Sequence, residues 1–532
     1  MEKIGDVPYK TIEDVEKEKQ PTASEESIAQ IKDSEQPATD KECSPEVGQS
    51  STKNEPSCSK EPDEEDEAKL QEKLQTLKGD RIGETMYSER FVLSTILKLS
   101  KQGTRLLEED EEFEHDLCNL WDMTIEPDVV RFLLEQDVIE LFLALASASE
   151  DYRLIEILFG IIGNMCCVEE MHDLFYRQSN LLVALCDFLS ITDAPVLVQL
   201  MRTLTTLFDR SDDERYHWFG VMKKVDNLTE KLALILATST NRALLEHTAE
   251  TVNAMINRFT EAEVDYAQLN EFYRLFAKSC LLEGLFEAFK QLFPFPALRE
   301  QTGGNAFDEE TLTQKDIKTM RRFLEIHEHF ILNANELYEA YVSEVDQCVH
   351  RVLASFVSEC VLFPVTKNHI CIFVSISNIY SGIMYHFRAE SFVYMVKIYD
   401  QLADALRNPP AQDQPDASGR STENGTTAAM EDDEDAEATD DGGEFDVETA
   451  CAEVREAIFF LVGPIDEQII RAAIQMGQLK ESTFEQMCRE LRITMDGEPL
   501  LYQTCAKLMS AVKGPTGEEF DVPMLANNHA AE

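Results

Sequence analysis

Three segments of the chain, 154–165, 197–208 and 245–256, carry the same pattern of apolar residues. In each segment the apolar residues stand at relative positions i, i+4, i+7 and i+11, which fall on one face of an α-helix. The offsets between copies are 43 and 48 residues, close to the roughly 40–47 residues of HEAT and armadillo units. Copy by copy, the matched residues are Leu154, Leu158, Ile161 and Met165, then Leu197, Met201, Leu204 and Phe208, then Leu245, Ala249, Val252 and Ile256.

This repeat predicts an all-α fold, an armadillo/HEAT-type α-solenoid of stacked helix pairs. One helix pair cannot shield its apolar stripe from water, whereas stacked pairs form a continuous core. A second apolar helix is expected after each copy, over 169–190, 214–237 and 267–293. The alternative is an irregular helical bundle in which three apolar quartets align by chance.

Two breaks in the helical pattern divide the chain. Residues 1–79 are acidic and contain one aromatic residue, so they predict a disordered acidic tail. Residues 408–446 predict a second disordered acidic segment, a loop inserted between helices. The expected folded parts are an armadillo-like repeat domain over 80–407 and C-terminal helices over 447–515 that pack on it, followed by a disordered tail over 516–532.

Helix start signals refine this reading. Pro127 stands one residue into a predicted helix that extends to about Ala146, and the segments 192–195 and 239–241 open two others. Gly160 and Gly163 lie three residues apart in an apolar helix, which favours close approach of a neighbouring helix.

The formal net charge of −53 excludes some partners. Such a field repels phosphate backbones and anionic lipid headgroups, so neither nucleic acid nor a membrane is expected to bind directly. The 13 cysteines have no regular spacing, which is typical of a reduced intracellular protein. The first residues lack the apolar stretch of a signal peptide, and we expect the cytosol or the nucleus.

No common catalytic motif occurs in the sequence. The phosphate-binding G-x-x-x-x-G-K-[ST], the dinucleotide-binding G-x-G-x-x-G, the hydrolase G-x-S-x-G and the zinc-binding H-E-x-x-H patterns are all missing. The sequence therefore predicts no enzyme and no cofactor.

Two stretches invite functional readings that we set aside. His327 and His329 point about 200° apart on a helix, so they predict no shared metal ion, and solvated or capped histidines are expected instead. The segment 370–387 has no Asp, Glu, Lys or Arg, but its serines and asparagine favour a buried solenoid helix over a membrane span.

Four short blocks resemble a known family. They are Gly79-Asp80-Arg81-Ile82-Gly83-Glu84-Thr85-Met86-Tyr87-Ser88, Trp121-Asp122-Met123-Thr124, the segment Leu154 to Met165 with Gly160-Ile161-Ile162-Gly163-Asn164-Met165, and Ser239-Thr240-Asn241. Their letters, order and spacing are similar to those of the serum amyloid A-like protein family, which is also named for synoviocyte proliferation. This resemblance implies an armadillo-type fold, a nuclear location, no known catalytic activity and a role in promoting cell proliferation.

Three functions are compatible with these observations. The first is a noncatalytic intracellular scaffold that binds another protein, for which Trp121 is the candidate partner contact, with a core anchor as its alternative role. The second is an armadillo-type transport adaptor for basic cargo. Such receptors place Asn four residues after Trp, whereas here the residue four positions after Trp121 is Ile125. The third is a regulatory subunit of an enzyme.

Overall fold

The computed structural model describes residues 80–102, 110–209, 218–261, 266–294, 312–384, 386–408, 447–494 and 499–513. Regular structure within these ranges is helical throughout, which confirms the predicted all-α fold class. The predicted tails 1–79 and 516–532 and the predicted loop 408–446 lie outside these ranges, apart from Asn408. The helices are α1 (Glu89–Gln102), α2 (Glu111–Met123), α3 (Pro127–Leu134), α4 (Val138–Ala148), α5 (Tyr152–Met165), α6 (Glu169–Arg177), α7 (Ser179–Asp187), α8 (Ala194–Asp209), α9 (Trp218–Met222), α10 (Leu228–Thr238), α11 (Arg242–Glu261), α12 (Tyr266–Phe276), α13 (Ser279–Leu292), α14 (Gln314–Asn333), α15 (Asn335–Tyr338), α16 (Val342–Phe356), α17 (Glu359–Leu362), α18 (Lys367–Gly382), α19 (Ala389–Arg407), α20 (Val447–Val462), α21 (Glu467–Gln475), α22 (Glu481–Thr494) and α23 (Pro499–Lys513).

The longer helices stack in two rows. In the first row α2, α5, α8, α11, α14, α18 and α20 each pack against the next. In the second row α4 packs on α7, a 3₁₀ turn over Phe188–Ser190 joins α7 to α10, and α10, α13, α16 and α19 follow in order. Each helix therefore buries its apolar face against its neighbours in the row, as in a solenoid.

The three aligned segments are successive members of the first row. They lie in α5, α8 and α11, and α5 packs on α8 as α8 packs on α11. All twelve matched side chains are buried, and the most exposed, Leu197, keeps 4% of its surface. The face common to the three segments thus forms part of one continuous core.

In the three aligned units the second layer of the helix pair is divided into two shorter helices. The second-layer segment 169–190 holds α6 and α7, and 267–293 holds α12 and α13. In the third such segment, 214–237, the described part from residue 218 onward holds α9 and α10. The helix predicted from Pro127 to about Ala146 is likewise divided into α3 and α4.

At two of these breaks the backbone adopts a left-handed conformation. Asp137 before α4 and Asn227 before α10 adopt left-handed angles, with φ of 52° and 54°. Aspartate and asparagine tolerate that conformation better than most side chains, since their short polar groups form local hydrogen bonds. The same conformation therefore separates the two short helices of the second layer in two units of the solenoid.

The segment 370–387 begins within α18, whose residues Ile372, Phe373 and Ile376 are buried in the common core. In the ranges that the structure covers, none of the helices combines the length and the apolar character needed to cross a bilayer. No disulfide joins the cysteines of those ranges.

Candidate interaction surface

The first motif forms an ordered loop that precedes α1. The Asp80 carboxylate accepts hydrogen bonds from the backbone N–H of Arg90 at 3.0 Å and from the Ser88 hydroxyl at 2.8 Å. These bonds favour the ionised form and lower the pKa of Asp80. Nε of Arg81 donates to the Thr85 carbonyl at 2.7 Å, and Ile82 is buried with 4% of its surface exposed. The loop is therefore held by its own polar side chains and by one apolar anchor.

Gly83 and Asp128 join this loop to α3. Gly83 has a φ of +53°, and a β-carbon built on it would lie 2.3 Å from Oδ2 of Asp128. The same oxygen accepts a hydrogen bond from the backbone N–H of Glu84 at 3.2 Å. Glycine is required here for two reasons, since other residues rarely adopt this φ and none leaves room for the carboxylate.

The second and third motifs meet where α2 packs on α5. A β-carbon on Gly160 would lie 2.0 Å from Cζ2 of Trp121, so the indole occupies the space that a side chain would need. Four residues along α5, Nδ2 of Asn164 donates to the Trp121 carbonyl and to the Thr124 hydroxyl, each at 3.2 Å. Close packing at Gly160 was predicted from sequence, and its partner is the tryptophan of the neighbouring motif.

Successive helices of the first row, α5, α8 and α11, also pack closely on one another. A β-carbon on Gly163 would lie 2.9 Å from Oγ1 of Thr203, and that hydroxyl donates to the Phe159 carbonyl at 3.3 Å. The Thr205 and Thr251 hydroxyls are 3.0 Å apart and link α8 to α11. Small residues therefore let backbones of successive units come close enough to be bridged by hydroxyl groups.

The fourth motif does not join the other three. The Ser239 hydroxyl accepts from the Asn241 N–H at 3.1 Å, and Oδ1 of Asn241 accepts from the Leu244 N–H at 2.9 Å. These bonds cap the start of α11. The motif therefore has a local structural role between α10 and α11.

A depression of about 520 Å³ lies beside Asp128, between the starts of α3 and α6. Its rim is formed by Pro127, Arg131, Cys167, Glu169, Glu170 and Asp173. Nε of Arg131 lies 2.8 Å from Oε1 of Glu170, and NH1 of Arg131 lies 3.3 Å from Oδ1 of Asp128. The bond from Arg131 lowers the pKa of Glu170. The one arginine of the rim is thus already engaged by carboxylates.

Two large apolar side chains close in sequence to Glu84 and Asp128 are exposed. Met86, in the first motif, keeps 85% of its surface, and Ile125, which follows the second motif, keeps 74%. Both lie within three residues of the bond between the Glu84 N–H and Asp128. We call Met86, Ile125, Asp128 and the depression the Asp128 surface.

Neither tryptophan forms an exposed ladder. Trp121 is partly buried and packs on the core beside Gly160. Trp218 is 1% exposed and makes edge contacts with Tyr176 and Phe208, with ring centroids 5.8 Å and 6.0 Å apart. Trp121, the partner contact predicted from the sequence, is close to Asp128 in the sequence. Met86 and Ile125 are more exposed than Trp121.

Of the two histidines considered from the sequence, His327 is not solvated. Its ring is fully buried, stacks on Phe286 with centroids 4.8 Å apart, and has Nδ1 2.9 Å from the Tyr338 hydroxyl. Burial lowers the pKa of His327 to about 3. Glu328, which lies between the two histidines in the sequence, accepts hydrogen bonds from Ser375 and Asn378 of α18. Among the residues that the structure describes, no three His, Cys, Asp or Glu side chains are grouped so as to hold a metal ion.

Sequence reasoning missed Asp128, Arg131 and the two exposed apolar residues. Asp128 and Arg131 carry no motif of their own, and ordinary helices often place an acidic residue in the first turn and a basic residue in the last. Met86 was within a quoted motif, but the letters alone do not show that its side chain points to solvent.

These features define the described part of the chain as an all-α solenoid with a structured polar and apolar surface near one end of its rows. Comparison with known proteins agrees with the family resemblance. The chain is 31% identical over 191 residues to Protein SAAL1 of Homo sapiens, a match that covers 34% of this chain and 40% of that protein. It is 29% identical over 245 residues to Protein saal1 of Danio rerio, covering 43% of this chain and 50% of that protein.

The chain thus matches half or less of the length of these two relatives. No protein-family model matches the sequence. Among solved structures, an engineered protein aligns with 79% of this chain and 99% of its own, at 12% identity and a TM-score of 0.28. A likeness this weak carries no structural argument.

Proposed function

We propose that the chain belongs to the serum amyloid A-like family and acts as a noncatalytic scaffold that binds another protein in the nucleus, where it promotes cell proliferation. The observation that carries this proposal is that three resemblance motifs come together in one part of the fold, next to the Asp128 surface. Residues 80–88, 121–124 and 160–165 are linked through Asp128, Trp121 and Asn164. About 30% identity to the SAAL1 proteins supports the family.

A scaffold is favoured because these motifs are built for packing and presentation. Their polar side chains form hydrogen bonds within the loop and between α5 and the end of α2. These side chains therefore stabilise the local fold, and they do not bring a nucleophile and a base together. Solenoids present long surfaces for recognition of other proteins.

The proposal is tested in two parts. The full-length chain, immobilised at physiological salt, should retain a nuclear protein with saturable binding. Depletion of the protein from dividing cells should slow proliferation, and re-expression of the intact chain should restore it. Failure to retain any nuclear protein would contradict the scaffold role. Depletion that leaves the growth rate unchanged would contradict the proliferative role, and the two readouts are independent.

A further inference from the structure

The Asp128 surface exposes apolar side chains that the fold holds in place. Arg81 donates to the Thr85 carbonyl at 2.7 Å, and its NH2 group lies 3.5 Å from Sδ of Met86. The Ile125 N–H donates to the Asp122 carbonyl at 3.3 Å in the turn between α2 and α3. Because these bonds hold the backbone at both positions, little loop entropy is lost when a partner covers the two side chains, which favours them as contact points.

Carboxylates outnumber cationic groups around these apolar side chains, and the guanidinium that contacts Met86 belongs to Arg81. Exposed carboxylates stand at Glu84 beside Met86 and at Asp122 and Glu126 beside Ile125. The rim of the depression adds three carboxylates to a single arginine, and Asp128 and Glu170 already engage that arginine. A field of this sign repels anionic partners and attracts cationic ones.

From this arrangement we infer that the Asp128 surface docks a protein segment in which an apolar side chain is flanked by lysine or arginine. The apolar side chain covers Met86 and Ile125, and a long cationic side chain enters the depression. Its volume of about 520 Å³ lies within the roughly 300–1,000 Å³ typical of ligand pockets. This inference rests on the proposed scaffold function and names the surface and the partner chemistry.

The test uses the full-length chain and a random peptide library displayed on phage. The selected peptides are synthesised and their affinities measured for the wild type, for the double variant Met86→Lys/Ile125→Lys, and for a matched control, Leu234→Lys/Met476→Lys. The control residues are similarly exposed, at 63% and 66%, on other helices or turns. Because all four positions are exposed, every variant should keep the wild-type melting temperature.

We expect the selected peptides to be rich in Lys or Arg beside an aliphatic or aromatic residue. They should bind the double variant at least about tenfold more weakly and the control unchanged, with affinity falling as salt rises. The wild-type chain supplies a second readout, since Cys167 lines the depression and is exposed. Bound peptide should slow alkylation of Cys167 and leave that of the exposed Cys360 unchanged.

Two results would overturn the inference in distinguishable ways. Peptides that bind both double variants equally and leave Cys167 unprotected would show a scaffold whose docking surface lies elsewhere. A selection that yields no specific peptide would count against this surface and against the scaffold function together.

Discussion

The indole of Trp121 occupies the place that a side chain on Gly160 would fill, with 2.0 Å between Cζ2 and a β-carbon built on the glycine. The close approach of α2 and α5 therefore depends on the absence of one methyl group. It also connects two segments of sequence that share a resemblance to one family.

Replacement of Gly160 by alanine should destabilise the protein by about 1–3 kcal/mol, because the ring and its helix must move apart. The midpoint of urea unfolding measures this. Gly220→Ala is the matched control, since no atom lies within 4 Å of a β-carbon there. In a Trp121→Ala background Gly160→Ala should lose most of its cost, and an equal cost in both backgrounds would contradict the assigned contact.

Leu204 tests the repeated face. It is fully buried between α5 and α11, so Leu204→Ala should lower the free energy of unfolding by roughly 2–5 kcal/mol through lost burial and the cavity left behind. Leu234→Ala, at a position 63% exposed, should change it by no more than about 0.5 kcal/mol. Similar unfolding midpoints for the two variants would argue that the repeated face is not core.

Asp128 tests the attachment of the first motif. Asp128→Ala removes the acceptor for the Glu84 N–H and one partner of Arg131, so amide exchange over 80–88 should speed up. Hydrogen exchange read by mass spectrometry resolves this segment. The control Asp466→Ala also removes a carboxylate that accepts a backbone N–H, at Gln468, and it should leave exchange over 80–88 unchanged.

His327 predicts a loss of stability in acid. The unfolded chain protonates this ring as the pH falls through about 6.5, whereas the folded ring stays neutral to about 3. The free energy of unfolding should therefore fall with decreasing pH over that window, by up to about 1.4 kcal/mol per pH unit from this group. Burial also lowers the pKa of His369 and of His350, which add to the same trend.

The variant His327→Phe isolates the contribution of one ring. It keeps an aromatic group against Phe286 and removes the titration. The free energy of unfolding, measured with urea at several pH values between 7 and 5, should then depend less steeply on pH, by the equivalent of up to one bound proton. An unchanged slope would mean that the imidazole is not held neutral in the folded protein.

The repeated face could be predicted from the sequence because it rests on a local period. Positions such as Leu158, Met201 and Ala249 recur at helical spacing, and neighbouring units must cover them. The division of each second layer was harder to predict. At two of the breaks a single residue adopts a left-handed conformation, Asp137 in one and Asn227 in the other, and such residues occur both at helix starts and in turns.

The candidate surface was predictable only in part. The spacing of Gly160 and Gly163 indicated close packing, but nothing local reveals that the partners are Trp121 and Thr203 from neighbouring helices. The exposure of Met86 depends on how its loop is fixed to Asp128, a contact across 44 residues of chain. Long-range contacts of this kind follow from the stacking of units and not from the motif itself.

The packing of α19 on α20 has a practical consequence for engineering. These helices are direct neighbours although α19 ends at Arg407 and α20 begins at Val447. The entropy of closing a connection between two neighbouring helices grows slowly with its length, by roughly 0.6 kcal/mol for each doubling. A fluorescent reporter could therefore be inserted between these helix ends with little effect on the rows, while both chain termini stay unmodified.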